Sequence, residues 1–125
     1  MSGSYRDLEI YGMAHSLGVV AHKFSLQLPR YEIYEMGSQL RRASKSISAN
    51  IVEGYGRRRY KQEFLRYLVF AQASCDETAE RVTYARDCHA ELAPASLEVL
   101  AQTEGLGRRL NKFIQAVEKS HRSEK

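Results

Sequence analysis

The chain has 125 residues with formal net charge +4, is 43% hydrophobic and 27% charged, and contains two prolines and no tryptophan. That length suits one domain with a sizeable core, so neither disulfides nor a metal is needed to hold it. Abundant alanine, leucine, glutamate and arginine with few β-branched residues point to helix. No run approaches the ~18 apolar residues of a membrane span, and no apolar stretch follows a basic start, so a cytoplasmic protein without a signal peptide is expected.

A first helix is predicted over residues 7–28. Ile10, Ala14, Leu17, Ala21, Phe24 and Leu28 recur at alternating four- and three-residue spacing, a heptad seam. Asp7 suits its N-cap or first turn. Pro29 stops it, because proline lacks an N–H and pushes Leu28 out of the helical region. A second helix, 36–55, carries Leu40, Ala43, Ile47, Asn50, Ile51 and Gly54 on one face, and Gly54 and Gly56 read as its C-terminal punctuation. A third, 60–90, has the seam Leu68, Ala71, Cys75, Ala79, Val82, Ala85, His89. Cys75 and Cys88 lie on it about 19 Å apart along the axis, out of disulfide range, so both are expected as thiols. A fourth, 94–118, opens at Pro94 and shows Leu97, Leu100, Gly107, Leu110, Ile114 and Val117. Residues 119–125 read as a mobile polar tail. The fold class expected is all-α: an up-down-up-down four-helix bundle forming one domain over 1–125.

From Phe64 to Ala71, "FLRYLVFA" is apolar nearly all round, more than one bundle stripe needs. The surplus Tyr67, Val69 and Phe70 is covered either by the loop at Tyr31, Ile33 and Tyr34 or by another subunit.

The basic character is local. Residues 41–66 hold eight Lys/Arg and two acids, a net +6, whereas the remainder sums to −2. The break "EGYGRRRY" is neither a dinucleotide fingerprint nor a P-loop: no strand precedes it, no third glycine follows, and the lysine-Ser/Thr ending is missing. It is a corner between helices first and an anion site second, because the following helix start offers unpaired N–H groups and a positive dipole end. Arg41, Arg42 and Lys45, with Arg57, Arg58, Arg59 and Lys61, are the candidate phosphate contacts, and Tyr55 and Tyr60 are candidate stacking partners. The plainer reading of the same charges is a solvated outer face. Asn50 and Glu53 are assigned to a structural polar network, since no second acid or base accompanies Glu53. His15 and His22 are two turns apart, too far to share a metal, and no H-E-x-x-H, C-x-x-C or E-x-x-H motif occurs. No catalytic residue, metal site or cofactor is expected.

Three stretches, "RDLEIYGMAHSL", "QLRRASKSISANIVEGYGRR" and "EFLRYLVFAQAS", resemble the four-helix bundle protein family known from intervening sequences of 23S rRNA genes. The similarity runs from Arg6 to Val117, and its central motif is the most specific part. Two departures stand out: Ser48 where a proline often follows the S-I of the motif, and "YGMAHSL" where an aromatic-Gln pair often precedes the alanine. The resemblance implies an up-down bundle, commonly a homopentamer, with no established enzymatic activity. It directs attention to Arg41, Arg42, Asn50, Glu53, Gly54 and Arg57. Being encoded within an rRNA gene is not binding to rRNA. The function expected is therefore a non-enzymatic, ring-like homo-oligomeric module whose basic surface meets RNA or DNA. The alternative is a structural or protein-interaction adaptor with no nucleic-acid role.

Overall fold

A computed structural model describes residues 3–120, and each of its four long helices follows from a three- or four-residue apolar repeat. The chain enters through a 3-10 turn, Tyr5–Asp7, closed by a capping box: Ser4 Oγ accepts from the Arg6 N–H and Asp7 Oδ2 accepts from the Ser4 N–H, each at 3.1 Å. Asp7 thus caps this turn and not the first long helix. That helix, α1 (Glu9–Ser25), starts after Leu8. It ends three residues before the expected Leu28, because the N–H groups of Leu26, Gln27 and Leu28 bond three residues back and tighten the chain into a turn. Leu28 stays in the core regardless.

Pro29 then caps a short helix, α2 (Arg30–Ile33), its fixed φ suiting a helix start. Three long helices follow: α3 (Met36–Gly56), α4 (Lys61–Cys88) and α5 (Ala93–Ser120). A 3-10 turn, Ala90–Leu92, joins α4 to α5. Lys119 and Ser120 belong to α5 and not to a tail; the rest of the expected mobile tail, 121–125, lies outside the described residues. The long helices pack in the cyclic order α1, α3, α4, α5, each against its two neighbours, and no strand occurs among the described residues. This is an all-α four-helix bundle, its core formed by the inward stripes of all four helices.

The seams of α1, α3 and α4 fall where the sequence places them, with two exchanges. On α4 the buried residue is Thr78 and its neighbour Ala79 is only half-buried; on α3 the stripe also takes in Ser44. On α5 the first half of the stripe is rotated. Leu97 is 69% exposed, Leu100 and Gly107 are half-buried, and Ser96, Val99, Thr103 and Leu106 face the core. The cause is the same in each case. Ser44, Thr78, Ser96 and Thr103 hydroxyls donate to carbonyls three or four residues back in their own helix, at 2.7–3.2 Å. Paired in this way, a hydroxyl enters the core without an orphaned donor.

Neither glycine at the end of α3 adopts a positive φ, so neither is a left-handed cap. Gly54 instead permits close approach: a Cβ there would lie 3.0 Å from Tyr67 Cβ and 3.3 Å from the Phe64 carbonyl. At the opposite end of the bundle, His89 is buried and its Nε2 lies 3.1 Å from Glu32 Oε2, tying α2 to the end of α4.

Candidate nucleic-acid interface

The seven basic candidates divide into inward-turned, engaged and open side chains. Arg41 turns inward. Its Nη1 donates to Ser25 Oγ at 2.7 Å and its Nη2 to the Ile33 carbonyl at 3.1 Å, so it clamps the end of α1 and the end of α2 onto α3. Gly37, whose added Cβ would sit 3.0 Å from Arg41 Nη1, makes room for that guanidinium. Arg42 is exposed and donates to Ser38 of its own helix. Lys45 is exposed on the α1 side, with Nζ 3.1 Å from His22 Nδ1.

The other four cations cluster at the α3–α4 corner, about 18 Å along α3 from Lys45. Arg57 is anchored by carboxylates: Nε to Glu53 at 2.8 Å and Nη1 to Glu63 at 3.4 Å, with its guanidinium 5.1 Å from the Tyr67 ring centre. The bond to Glu53, and next Tyr67, hold its pKa above the ordinary guanidinium value. Lys61 reaches across to α5, donating to the Glu118 carbonyl at 2.7 Å, where a cation offsets the negative end of that helix. Arg58 lies over the Tyr55 ring, 3.9 Å from its centre, and one of its five donors goes to the Tyr55 carbonyl. Arg59 lies 5.8 Å from the Tyr60 ring centre. Among the described residues neither Arg58 nor Arg59 has a carboxylate within 4 Å.

Aromatic packing holds this corner. Tyr55, Phe64 and Phe113 meet edge to face at 6.4 and 6.0 Å, joining α3, α4 and α5 beneath it. The N-terminus of α4 opens beside the arginines, with Tyr60 as N-cap and no side chain bonded to its first N–H groups. The three consecutive arginines therefore meet three different partners, and of the three only Arg57 is held by carboxylates among the described residues.

Asn50 and Glu53 do not share one network. Asn50 Nδ2 donates to the Ser46 carbonyl at 2.8 Å, and Ser46 Oγ lies 2.7 Å from Ser74 Oγ across the α3–α4 contact. Glu53 is exposed and serves Arg57.

Tyr67, Val69 and Phe70 sit on the outer flank of α4. Val69 is 48% and Phe70 42% exposed, and Tyr67 and Phe70 meet edge to face at 5.5 Å. The loop of Tyr31 and Tyr34 does not cover them. Both of those tyrosines are themselves exposed, and Tyr31 packs near His89 at the far end of α4. Arg66 completes the flank, 5.5 Å from the Tyr67 ring centre and 5.4 Å from that of Phe70. In the sequence Arg66 shows only as charge. The signal was present in its spacing, one residue before Tyr67 and four before Phe70.

Cys75 is buried and Cys88 exposed, both free thiols, and no cluster of three metal-ligating side chains occurs among the described residues. No helix there is long and apolar enough to cross a membrane. Compared with known proteins, the chain matches no curated protein. The family model of the 23S rRNA-intervening sequence protein matches residues 6–112, which span most of the entry turn, all of α1 to α4 and most of α5. The chain therefore belongs to the 23S rRNA-intervening sequence protein family.

Proposed function

We propose that the protein is a non-enzymatic nucleic-acid-binding module that works as a ring-like homo-oligomer. The observation that carries this reading is the α3–α4 corner. Two arginines without carboxylate partners, Arg58 and Arg59, lie against Tyr55 and Tyr60 at the uncapped start of a 28-residue helix. Guanidinium groups and open N–H groups suit phosphates, and tyrosine rings and guanidinium planes suit unstacked bases, so a single strand fits better than a duplex. The family's name associates it with rRNA genes, which agrees with RNA as the first partner to test.

Oligomerisation is supported by the bare aromatic flank of α4. Through Arg57 and Arg66, both beside Tyr67, that flank adjoins the corner. Copies joined there would set several corners side by side, and tethered sites bind one strand far more tightly than a lone site.

The test is an anisotropy titration of labelled single-stranded RNA and DNA of about 20 nucleotides. Wild type is compared with Arg58→Glu/Arg59→Glu, alongside light scattering for subunit number. The expected result is binding at low salt, about tenfold or more weakened by the double reversal with helix content unchanged. Equal binding by the variant removes the corner from the interface. No binding by wild type leaves the adaptor reading, in which these arginines meet acidic protein surfaces.

A further inference from the structure

We propose that the groove between α1 and α3 is a binding site for a small organic anion with an aromatic or aliphatic body. The groove encloses about 330 Å³, within the range of small-ligand sites. Its floor is apolar: Val19, 42% exposed on α1, and the backbone at buried Gly18. Its rim carries Lys23, His15 and His22 from α1 and Lys45 and Ser48 from α3, with no Asp or Glu among the lining residues.

The rim is arranged to donate. Lysine offers only donors, and Lys45 Nζ lies 3.1 Å from His22 Nδ1, which joins the α3 and α1 sides of the rim. Two lysines and two histidines thus line one groove, with no carboxylate salt bridge to Lys23 or Lys45 among the described residues. The aliphatic stems of the two lysines extend the apolar wall up to their charged heads. A carboxylate, sulfonate or phosphate head at the rim with a ring against Val19 satisfies both parts. The groove lies about 18 Å along α3 from the arginine corner, so this site stands or falls independently of nucleic-acid binding.

The probe is 1-anilinonaphthalene-8-sulfonate, titrated by fluorescence into the full chain, with the neutral N-phenyl-1-naphthylamine as its uncharged counterpart. The sulfonate should saturate at about one molecule per chain and outcompete the neutral probe about tenfold or more. Lys23→Glu/Lys45→Glu, at two exposed positions, should weaken it by about tenfold or more. Phe70→Ser and Arg58→Glu/Arg59→Glu should leave it within about twofold. In wild type, nuclear magnetic resonance should show the imidazole signals of His15 and His22 moving on titration while those of His89 stay. Absence of binding, retention in the lysine variant, loss in Phe70→Ser, equal affinity for the neutral probe, or unmoved His15 and His22 signals would each overturn the assignment.

Discussion

Arg41 and Arg42 are adjacent in sequence and opposite in role. Arg41 holds Ser25 and the Ile33 carbonyl from a half-buried position, so truncating it takes a charged donor from both, and Ser25 keeps only its bond to the His22 carbonyl. Arg41→Ala should cost about 2 kcal/mol of unfolding free energy in urea titration, the range of charge-assisted hydrogen bonds in partly buried sites. Arg42→Ala, which loses a solvent-exposed bond to Ser38, should stay within about 0.5 kcal/mol. Equal effects would show that Arg41 is no clamp. Cys75 offers a second test at this scale. Burial, with Asp76 adding, pushes its thiol up from 9.0 to about 11. Its pKa is higher folded than unfolded, so its contribution is complete below pH 9 and is lost as pH rises from about 9 to 11. At pH 8 a thiol reagent should therefore label one cysteine per native chain quickly, exposed Cys88, and reach the second only on unfolding. Rapid labelling of both would contradict the burial.

Among the elements, α5 tests the packing most sharply, because its sequence offers two competing stripes. Leu97 and Leu100 look like the start of the core face, yet the buried line runs through Ser96, Val99, Thr103 and Leu106. Leu106→Ala should cost about 2–5 kcal/mol, whereas Leu97→Ala should cost under about 0.5. Thermal melts of the two variants check the register, and the reverse ranking would rotate the helix. The rest of the bundle was legible because apolar residues alone mark the seams of α1 and most of α3 and α4. It became illegible where a Ser or Thr occupies a core position, since a hydroxyl reads as surface until its own helix is seen to accept its proton. The short helix α2 gave no periodic signal beyond Pro29. For the site, the arginine run was visible as charge density, but the partners that engage it were not. Arg41 bonds Ser25, sixteen residues away, and Lys61 bonds the Glu118 carbonyl, fifty-seven away, and such pairings exist only once the helices are docked.

At the scale of the whole molecule, the exposed flank of α4 and the arginine corner that precedes it are neighbours. Val69 and Phe70 stay exposed on the flank beside half-buried Tyr67, with only arginine side chains over the rings, and the corner arginines begin where that flank ends. If copies join along it, a single strand can engage several corners at once, and the counterions released scale with the phosphates engaged. Each single-strand phosphate contributes about −0.7 to the slope of log K against log salt, so two open arginines give about −1.4 per corner. The direct measurement is that slope for single-stranded RNA, taken side by side for wild type and Phe70→Ser. Wild type should give a slope well steeper than −1.4 and Phe70→Ser one near it, whereas a slope near zero, or the same slope for both proteins, would contradict a nucleic-acid surface assembled by oligomerisation.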